Sequence, residues 1–411
     1  MRIVRERPAA RRSDDLAEPV RAIVEEVRTG GDAAVLRLTE RFDRAELRPE
    51  QLRVPPAEIE AAVAFLEPAV LEGLRTAIRN VRAVVEAQLR GPVAVELPEG
   101  QRVEVVEVPV ARAGVYVPGG RAPYPSTLIM CAVTAAAAGV GEVAACAPPG
   151  PRGEAHPVIL AACGLCGVEE VYRMGGAQAI AALAHGTDLI PAVDVIVGPG
   201  NAWVQEAKRQ VVGQVSIDGV AGPSELVIAA SAGADPELAA LDVLAQAEHG
   251  PASLLVLISD DDVLLEDVER RVSVGGLREG DKGRAAPLAL VRAPEAATAV
   301  RLADLIAPEH MQLVGEAAEA EADAVRSAGA LFVGRDAATA FGDYIAGSNH
   351  VLPTGGAARH ASALSVATFR RRMARVTFPE GTAGALAPAG AAIARAEGFS
   401  VHAASMEQRG G

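Results

Sequence analysis

The hydrophobic positions of this chain follow two regimes. From residue 1 to about 90 they recur at helical spacing with one break, Arg44 to Pro56. Within that stretch Thr76–Leu89 sets Ile78, Val81, Val84 and Val85 on one stripe of an amphipathic helix. From about residue 103 the apolar positions condense into short β-branched runs at 103–108, 114–117, 143–147, 193–197, 226–230, 254–258, 288–291 and 331–333. Ala-rich stretches of helical period lie between the runs. That alternation is the pattern of βαβ crossovers in largely parallel sheets, so the pattern predicts an α/β architecture behind a helical arm.

Three strand-to-helix joints are glycine turns. YVPGGRAPYPST (116–127) follows a strand and leads into a helix from Leu128, with Ser126 or Thr127 placed to cap it. Gly175–Gln178 and Gly198–Asn201 repeat the design, each with an amide residue at a helix start. Open α/β sheets bind ligands at such carboxyl-end loops. The chain contains no GxGxxG, so each loop by itself is either a nucleotide contact or an ordinary tight turn. Convergence of the three on one ligand would favour the first. Ala221–Glu225 is a fourth loop, just before a strand, where Ser224 either meets a ligand or closes the turn.

Composition narrows the partners. Half of the 411 residues are hydrophobic, only 3% are aromatic, and acidic residues outnumber basic ones by 53 to 39. No Lys/Arg block stands beside aromatics, which argues against nucleic acid and anionic membranes and for small polar ligands. The N-terminus has no apolar leader, and the longest uncharged run, 122–141, carries Pro and Gly. A cytoplasmic protein is the expectation. Cys131, Cys146, Cys163 and Cys166 show no disulfide spacing, and the Cys163/Cys166 pair reads as buried helix cysteine rather than a metal site.

The chemistry-bearing residues come later in the chain. In Asp242–His249, a helix end between Pro236 and Gly250-Pro251, Gln246 and His249 stand on one face as two ligands of a borderline metal would. In isolation such a pair is more often a hydrogen-bonded surface. Glu309 and His310 follow Pro308 at an irregular turn, where a carboxylate and an imidazole could divide acid–base work or simply be solvated. FGDYIAGSNHVLPTGG (341–356) is the densest polar and glycine segment, with Asp343 its natural carboxylate ligand. Glu397 and His402 follow an Ala-rich helix that reads as a docking tail.

In order along the chain, YVPGGRAPYPST, GGAQAIAALAHGT, VDVIVGPGN, AGPSE, QAEHG, APEH, GDYIAGSNHVLPTGG and EGFSVHAASMEQR closely resemble the histidinol dehydrogenase family, from Phe42 to Arg409. The resemblance implies zinc on Gln246, His249, Asp343 and His402, and Glu309 and His310 as the acid–base pair. It implies substrate contacts from Ser224, His350 and Glu397 together with His310 and the metal ligands, and NAD contacts from Tyr116, Gln178 and Asn201. It further implies two successive NAD-linked oxidations, L-histidinol to L-histidinaldehyde to L-histidine, in a homodimer whose tail reaches the partner's site. The alternative is a paralogue acting on another small polar alcohol. For the fold the expectation is two incomplete Rossmann-like αβα domains with a helical N-terminal arm and a short helical C-terminal tail. The expected boundaries are an arm over 1–30, a first α/β domain over 31–108 and 227–358 carrying the zinc and catalytic residues, an inserted domain over 109–226 carrying the NAD loops, and a tail over 359–411.

Overall fold

The computed structural model describes residues 2–3, 14–119, 122–274 and 286–410. A short strand, β1 (Arg2–Ile3), precedes the long helix α1 (Asp14–Asp43), then α2 (Pro49–Leu52), α3 (Pro56–Ala64) and α4 (Pro68–Glu86). Strands β2 (Val93–Glu96) and β3 (Arg102–Pro109) follow. The first alternating run comprises β4 (Arg112–Tyr116), α5 (Pro125–Ala138), β5 (Glu142–Ala147), α6 (Pro157–Cys166), β6 (Glu170–Arg173), α7 (Gly176–His185), β7 (Val195–Val197), α8 (Ala202–Val211) and β8 (Ser216–Ile217). The second comprises β9 (Glu225–Ala230), α9 (Pro236–Ala247), β10 (Leu254–Ser259), α10 (Asp262–Val274), β11 (Leu288–Arg292), α11 (Ala296–Ile306), β12 (His310–Val314), α12 (Glu316–Glu319), β13 (Ala330–Val333) and α13 (Thr339–Tyr344). Strand β14 (Arg370–Thr377) and helices α14 (Ala383–Ala396) and α15 (Ser400–Glu407) close the chain.

The alternation produces two parallel sheets. The five-stranded sheet has order β6-β5-β4-β7-β8, all parallel. The six-stranded sheet has order β1-β11-β10-β9-β12-β13, parallel except for β1. Each begins at its centre, runs outward, then returns to the other side, so each has a topological switch point, between β4 and β7 in one and between β9 and β12 in the other. Strands β7 and β9 are buried along their length, which is why they read as apolar runs with little alternation. Asp235 starts α9 by accepting the Glu237 N–H, with Pro236 at the first helical position.

The chain divides into two compact units, Met1–Gln88 with Ala111–Phe369, and Leu89–Val110 with Arg370–Gly411. The first holds both parallel sheets. In the second, β14, β3 and β2 form an antiparallel sheet, and α14 packs on α15 through Ala391, Ala394 and Ala403. The run at 103–108 is thus a strand, as expected, but it joins β14 instead of a parallel sheet. Residues 89–108, grouped above with the first α/β domain, are gathered with the chain's last segment. No helix among the described residues is long and apolar enough to cross a membrane. All four cysteines are free, and burial pushes their thiols up, Cys166 to about 12, the opposite of what a thiolate metal site needs.

Candidate active site

Nine of the residues singled out from sequence line one cleft of about 1080 Å3: Tyr116, Gln178, Asn201, Ser224, His249, Glu309, His310, Asp343 and His350. The two sheets present different edges to it. Tyr116, Pro148–Pro151, Gly176–Gln178 and Pro199–Asn201 follow the carboxyl ends of β4, β5, β6 and β7, where an α/β sheet is expected to hold a ligand. Ser224, Glu309 and His310 instead sit at the amino ends of β9 and β12. Helices return antiparallel to their strands, so the C-termini of α9 and α13 arrive at that same edge with His249 and Asp343. Helix C-termini carry partial negative charge and favour a cation or a protonated imidazole.

The irregular turn expected for the Glu309–His310 pair holds only Glu309, which sits in the bend between α11 and β12 two residues after Ala307, a buried alanine held at φ 54, whereas His310 is already the first residue of β12. Ser224 Oγ donates to Glu309 Oε2 at 2.7 Å and the Glu225 N–H donates to the same oxygen at 2.8 Å. The Glu309 N–H donates back to Glu225 Oε2 at 3.3 Å, and Gly355 N–H donates to Glu225 Oε1 at 3.0 Å. His310 Nδ1 donates to the Glu225 carbonyl at 3.1 Å, which leaves Nε2 as the working nitrogen, 3.6 Å from Asp343 Oδ1. Gly329 allows the approach, since a Cβ there would stand 2.6 Å from the Glu309 carbonyl oxygen.

Asp343 faces two imidazoles, with Oδ1 toward His310 and Oδ2 3.8 Å from His249 Nε2. Burial opposes its ionisation, but the two histidines outweigh burial and hold the carboxyl well below its usual range. The reciprocal effect acts on His310. Burial pulls its pKa down, whereas hydrogen bonding and charge from Asp343 and Glu309 push it up to about 10. His350 behaves differently: burial lowers it, its Nδ1 donates to the Asp343 carbonyl at 2.8 Å, and Nε2 is then free to accept from Thr127 Oγ1 at 3.2 Å. Thr127 therefore orients His350 and does not cap the helix, which begins at Pro125 behind Tyr124.

The candidate metal ligands divide in two. Among the described residues no group of three or more His, Cys, Asp or Glu forms a ready cage. The donor set is mixed, however: Gln246 is buried on α9 behind the cleft wall, and its Nε2 has no hydrogen-bond partner. Amide ends are interchangeable, so an orphaned buried amide beside the His249–Asp343 pair fits a site that gives its oxygen to a cation. The 3.8 Å between His249 Nε2 and Asp343 Oδ2 is too long for a hydrogen bond, and close to the roughly 3.4 Å between two ligands on one tetrahedral zinc. Glu397 and His402 lie in the other compact unit, both exposed, Glu397 ending α14 and His402 on α15.

On the side of the five-stranded sheet, Gly176 N–H donates to the Tyr116 hydroxyl at 3.3 Å, tying the first glycine loop to the second. Asn201 caps α8 through its Oδ1, leaving its amide NH2 for a ligand. Gly198 has φ 113, and a Cβ there would meet the Tyr116 carbonyl at 2.1 Å, so only glycine lets these two strand ends close. Sequence reasoning passed over Glu225, Lys208, Trp203 and Asp43. Glu225 stood inside the quoted AGPSE loop. Lys208 gave one signal, a charge on the stripe that Val204, Val211 and Val212 make at helical spacing.

A buried, doubly anchored carboxylate next to an imidazole, in a cleft walled by glycine loops of a parallel sheet, defines an α/β enzyme that moves protons on a small enclosed ligand. The family model for histidinol dehydrogenase matches residues 6–410. A histidinol dehydrogenase from Gluconobacter oxydans (strain 621H) is 43% identical over 413 residues, covering 98% of this chain and 95% of that protein. One from Synechococcus sp. (strain ATCC 27144 / PCC 6301 / SAUG 1402/1) is 44% identical over 95% of this chain and 91% of that protein. The crystal structure of histidinol dehydrogenase from Elizabethkingia anophelis superposes with a TM-score of 0.91 at 31% identity, over 98% of this chain and 94% of that one. The chain belongs to the histidinol dehydrogenase family, and with it to the oxidoreductases.

Proposed function

We propose that this protein oxidises L-histidinol twice, through L-histidinaldehyde to L-histidine, in a zinc-dependent and NAD-linked reaction that ends histidine biosynthesis. The observation that carries the reading is the Glu309–His310 pair, anchored by Ser224 and Glu225 at the wall of the cleft. Bound NAD supplies the hydride acceptor, and zinc held by Gln246, His249 and Asp343 supplies an electropositive anchor for substrate nitrogen. His310, its Nδ1 committed to the Glu225 carbonyl, takes the alcohol proton on Nε2 as hydride leaves the carbinol carbon. Glu309 then accepts a proton from the water that adds to the aldehyde carbonyl, and a second hydride leaves the resulting hydrate to give the acid. Asp343 and Glu309 both push the His310 pKa up, so drawing the Asp343 charge onto a cation would favour the neutral imidazole that proton removal needs. Ser224 and His350 line the same cleft and serve as substrate contacts, and Tyr116, Gln178 and Asn201 as dinucleotide contacts. The resemblance assigns Glu397 and His402 to a second subunit's site, so a homodimer is part of the reading.

Purified, zinc-loaded protein incubated with NAD and L-histidinol should form L-histidine, identified by chromatography. A protein that holds zinc, leaves histidinol untouched and reduces NAD with another small polar alcohol would be the paralogous dehydrogenase instead.

A further inference from the structure

The cleft wall contains a carboxylate that the reaction above does not use. Asp43 is the last residue of α1 and lines the cleft beside Tyr116 and Gln178. Its carboxylate accepts one long hydrogen bond, from Gln178 Nε2 at 3.4 Å. Burial alone pushes it up to about 6, with no cation offsetting the cost. A partly buried acid with so little satisfaction is placed to accept hydrogen bonds from a ligand. Its surroundings say which kind. Phe42 and Trp203, ring centroids 6.5 Å apart, line the same part of the wall and offer flat apolar surface to a base. Gln178 adds an amide, and Asn201 leads into the helix that carries Trp203.

We infer that Asp43 accepts hydrogen bonds from the ribose hydroxyls of the adenosine half of the dinucleotide, beside the surface made by the Phe42 and Trp203 rings, and that its charge turns away a 2′-phosphate. The enzyme therefore selects NAD over NADP through Asp43, and the adenosine lies on the five-stranded sheet while the reacting carbon lies at His310. The inference rests on the reading that this cleft takes a nicotinamide dinucleotide. A carboxylate exchanges two good hydrogen bonds with a free 2′,3′-diol, whereas a 2′-phosphate removes one donor and sets like charges face to face.

Trp203 is the sole tryptophan, so intrinsic fluorescence reports directly on this pocket without catalysis. Titrations of the zinc-loaded protein with AMP, adenosine 2′,5′-bisphosphate, NAD and NADP should quench Trp203 fluorescence, with the 2′-phosphorylated member of each pair binding at least about tenfold more weakly. Asp43→Asn should bring each pair to within about threefold while the melting temperature confirms a folded protein. The wild-type comparison needs no variant, so it decides the matter even if Asp43→Asn folds poorly. Equal binding of NAD and NADP by the wild type, or an unchanged ratio in folded Asp43→Asn, overturns the inference and leaves the dinucleotide reading standing. Failure of folded wild type to bind either dinucleotide overturns both.

Discussion

Lys208 offers the sharpest test of how the five-stranded-sheet side of the cleft, proposed to take NAD, is held. Its side chain is 1% exposed, and it pairs with Asp218, itself 5% exposed. Lys208 Nζ also donates to the Gly198 carbonyl at 2.9 Å, and Asp218 Oδ2 accepts the Gly198 N–H at 2.7 Å. One buried ion pair thus holds both backbone groups of the residue that opens the Gly198–Asn201 loop. Lys208→Met removes the cation and leaves Asp218 buried without its partner, a change that costs about 3–5 kcal/mol. At about 2.1 cal/mol/K of unfolding entropy per residue, a chain of this length loses roughly 5 °C in Tm. The double variant Lys208→Met/Asp218→Leu replaces the pair with apolar volume and should regain part of that loss, since the desolvated charge is gone while the Gly198 N–H and carbonyl lose their partners. Neither variant restores the hold on Gly198, so KM for NAD should stay raised in both, with kcat less affected. Calorimetric melting and steady-state kinetics read the two effects separately. A single variant within about 1 kcal/mol of wild type, or a double variant no more stable than the single one, would refute the reasoning.

Other consequences follow from the same geometry. Glu309→Gln keeps the hydrogen-bonding shape but not the base, so kcat should fall about 10²–10⁴-fold, with L-histidinaldehyde detectable by trapping with a hydrazine; an undiminished second oxidation would remove Glu309 from its role. Asp43 has a folded pKa of about 6 against an ordinary value of 3.8, so its ionisation destabilises the fold increasingly as pH rises from about 4 to 6. Asp43→Asn should therefore melt higher than wild type above pH 6 and equal to it near pH 4, a difference that melting curves across that range would show. Chelation should abolish activity while circular dichroism stays native, zinc should restore it, and Gln246→Ala should weaken zinc binding measured by metal analysis after dialysis; a chelated protein that keeps its rate would dispose of the metal site.

The parallel sheets were legible because fully buried strands show as uninterrupted apolar runs, such as Val195–Val197 and residues 226–230, separated by stretches of helical period. The glycine loops were legible because close approach leaves no other residue, as at Gly198. Strand β12 escaped because His310–Val314 carries Gln312 and starts two residues after a proline, so it resembles the tail of a turn. Strand β14 escaped because Arg370–Thr377 holds four arginines, of which the exposed Arg372 and Arg375 pair with Glu107 and Glu104 on β3, and a sequence pattern cannot register pairing with a strand more than 250 residues away. Glu309 and His310 were legible as a candidate pair because they are neighbours in the chain, but their support was not readable: Glu225 anchors them through its side chain, its N–H and its carbonyl, a relation created only when β9 and β12 pair. Asp43 was one acid among many until α1 ended at the cleft.

The central claim, a double oxidation at one site, is tested most directly by stoichiometry. Zinc-loaded protein given limiting L-histidinol and excess NAD should yield two NADH per histidinol consumed, with no free aldehyde at completion. One NADH per histidinol with aldehyde accumulating, or none from zinc-replete protein, would contradict it.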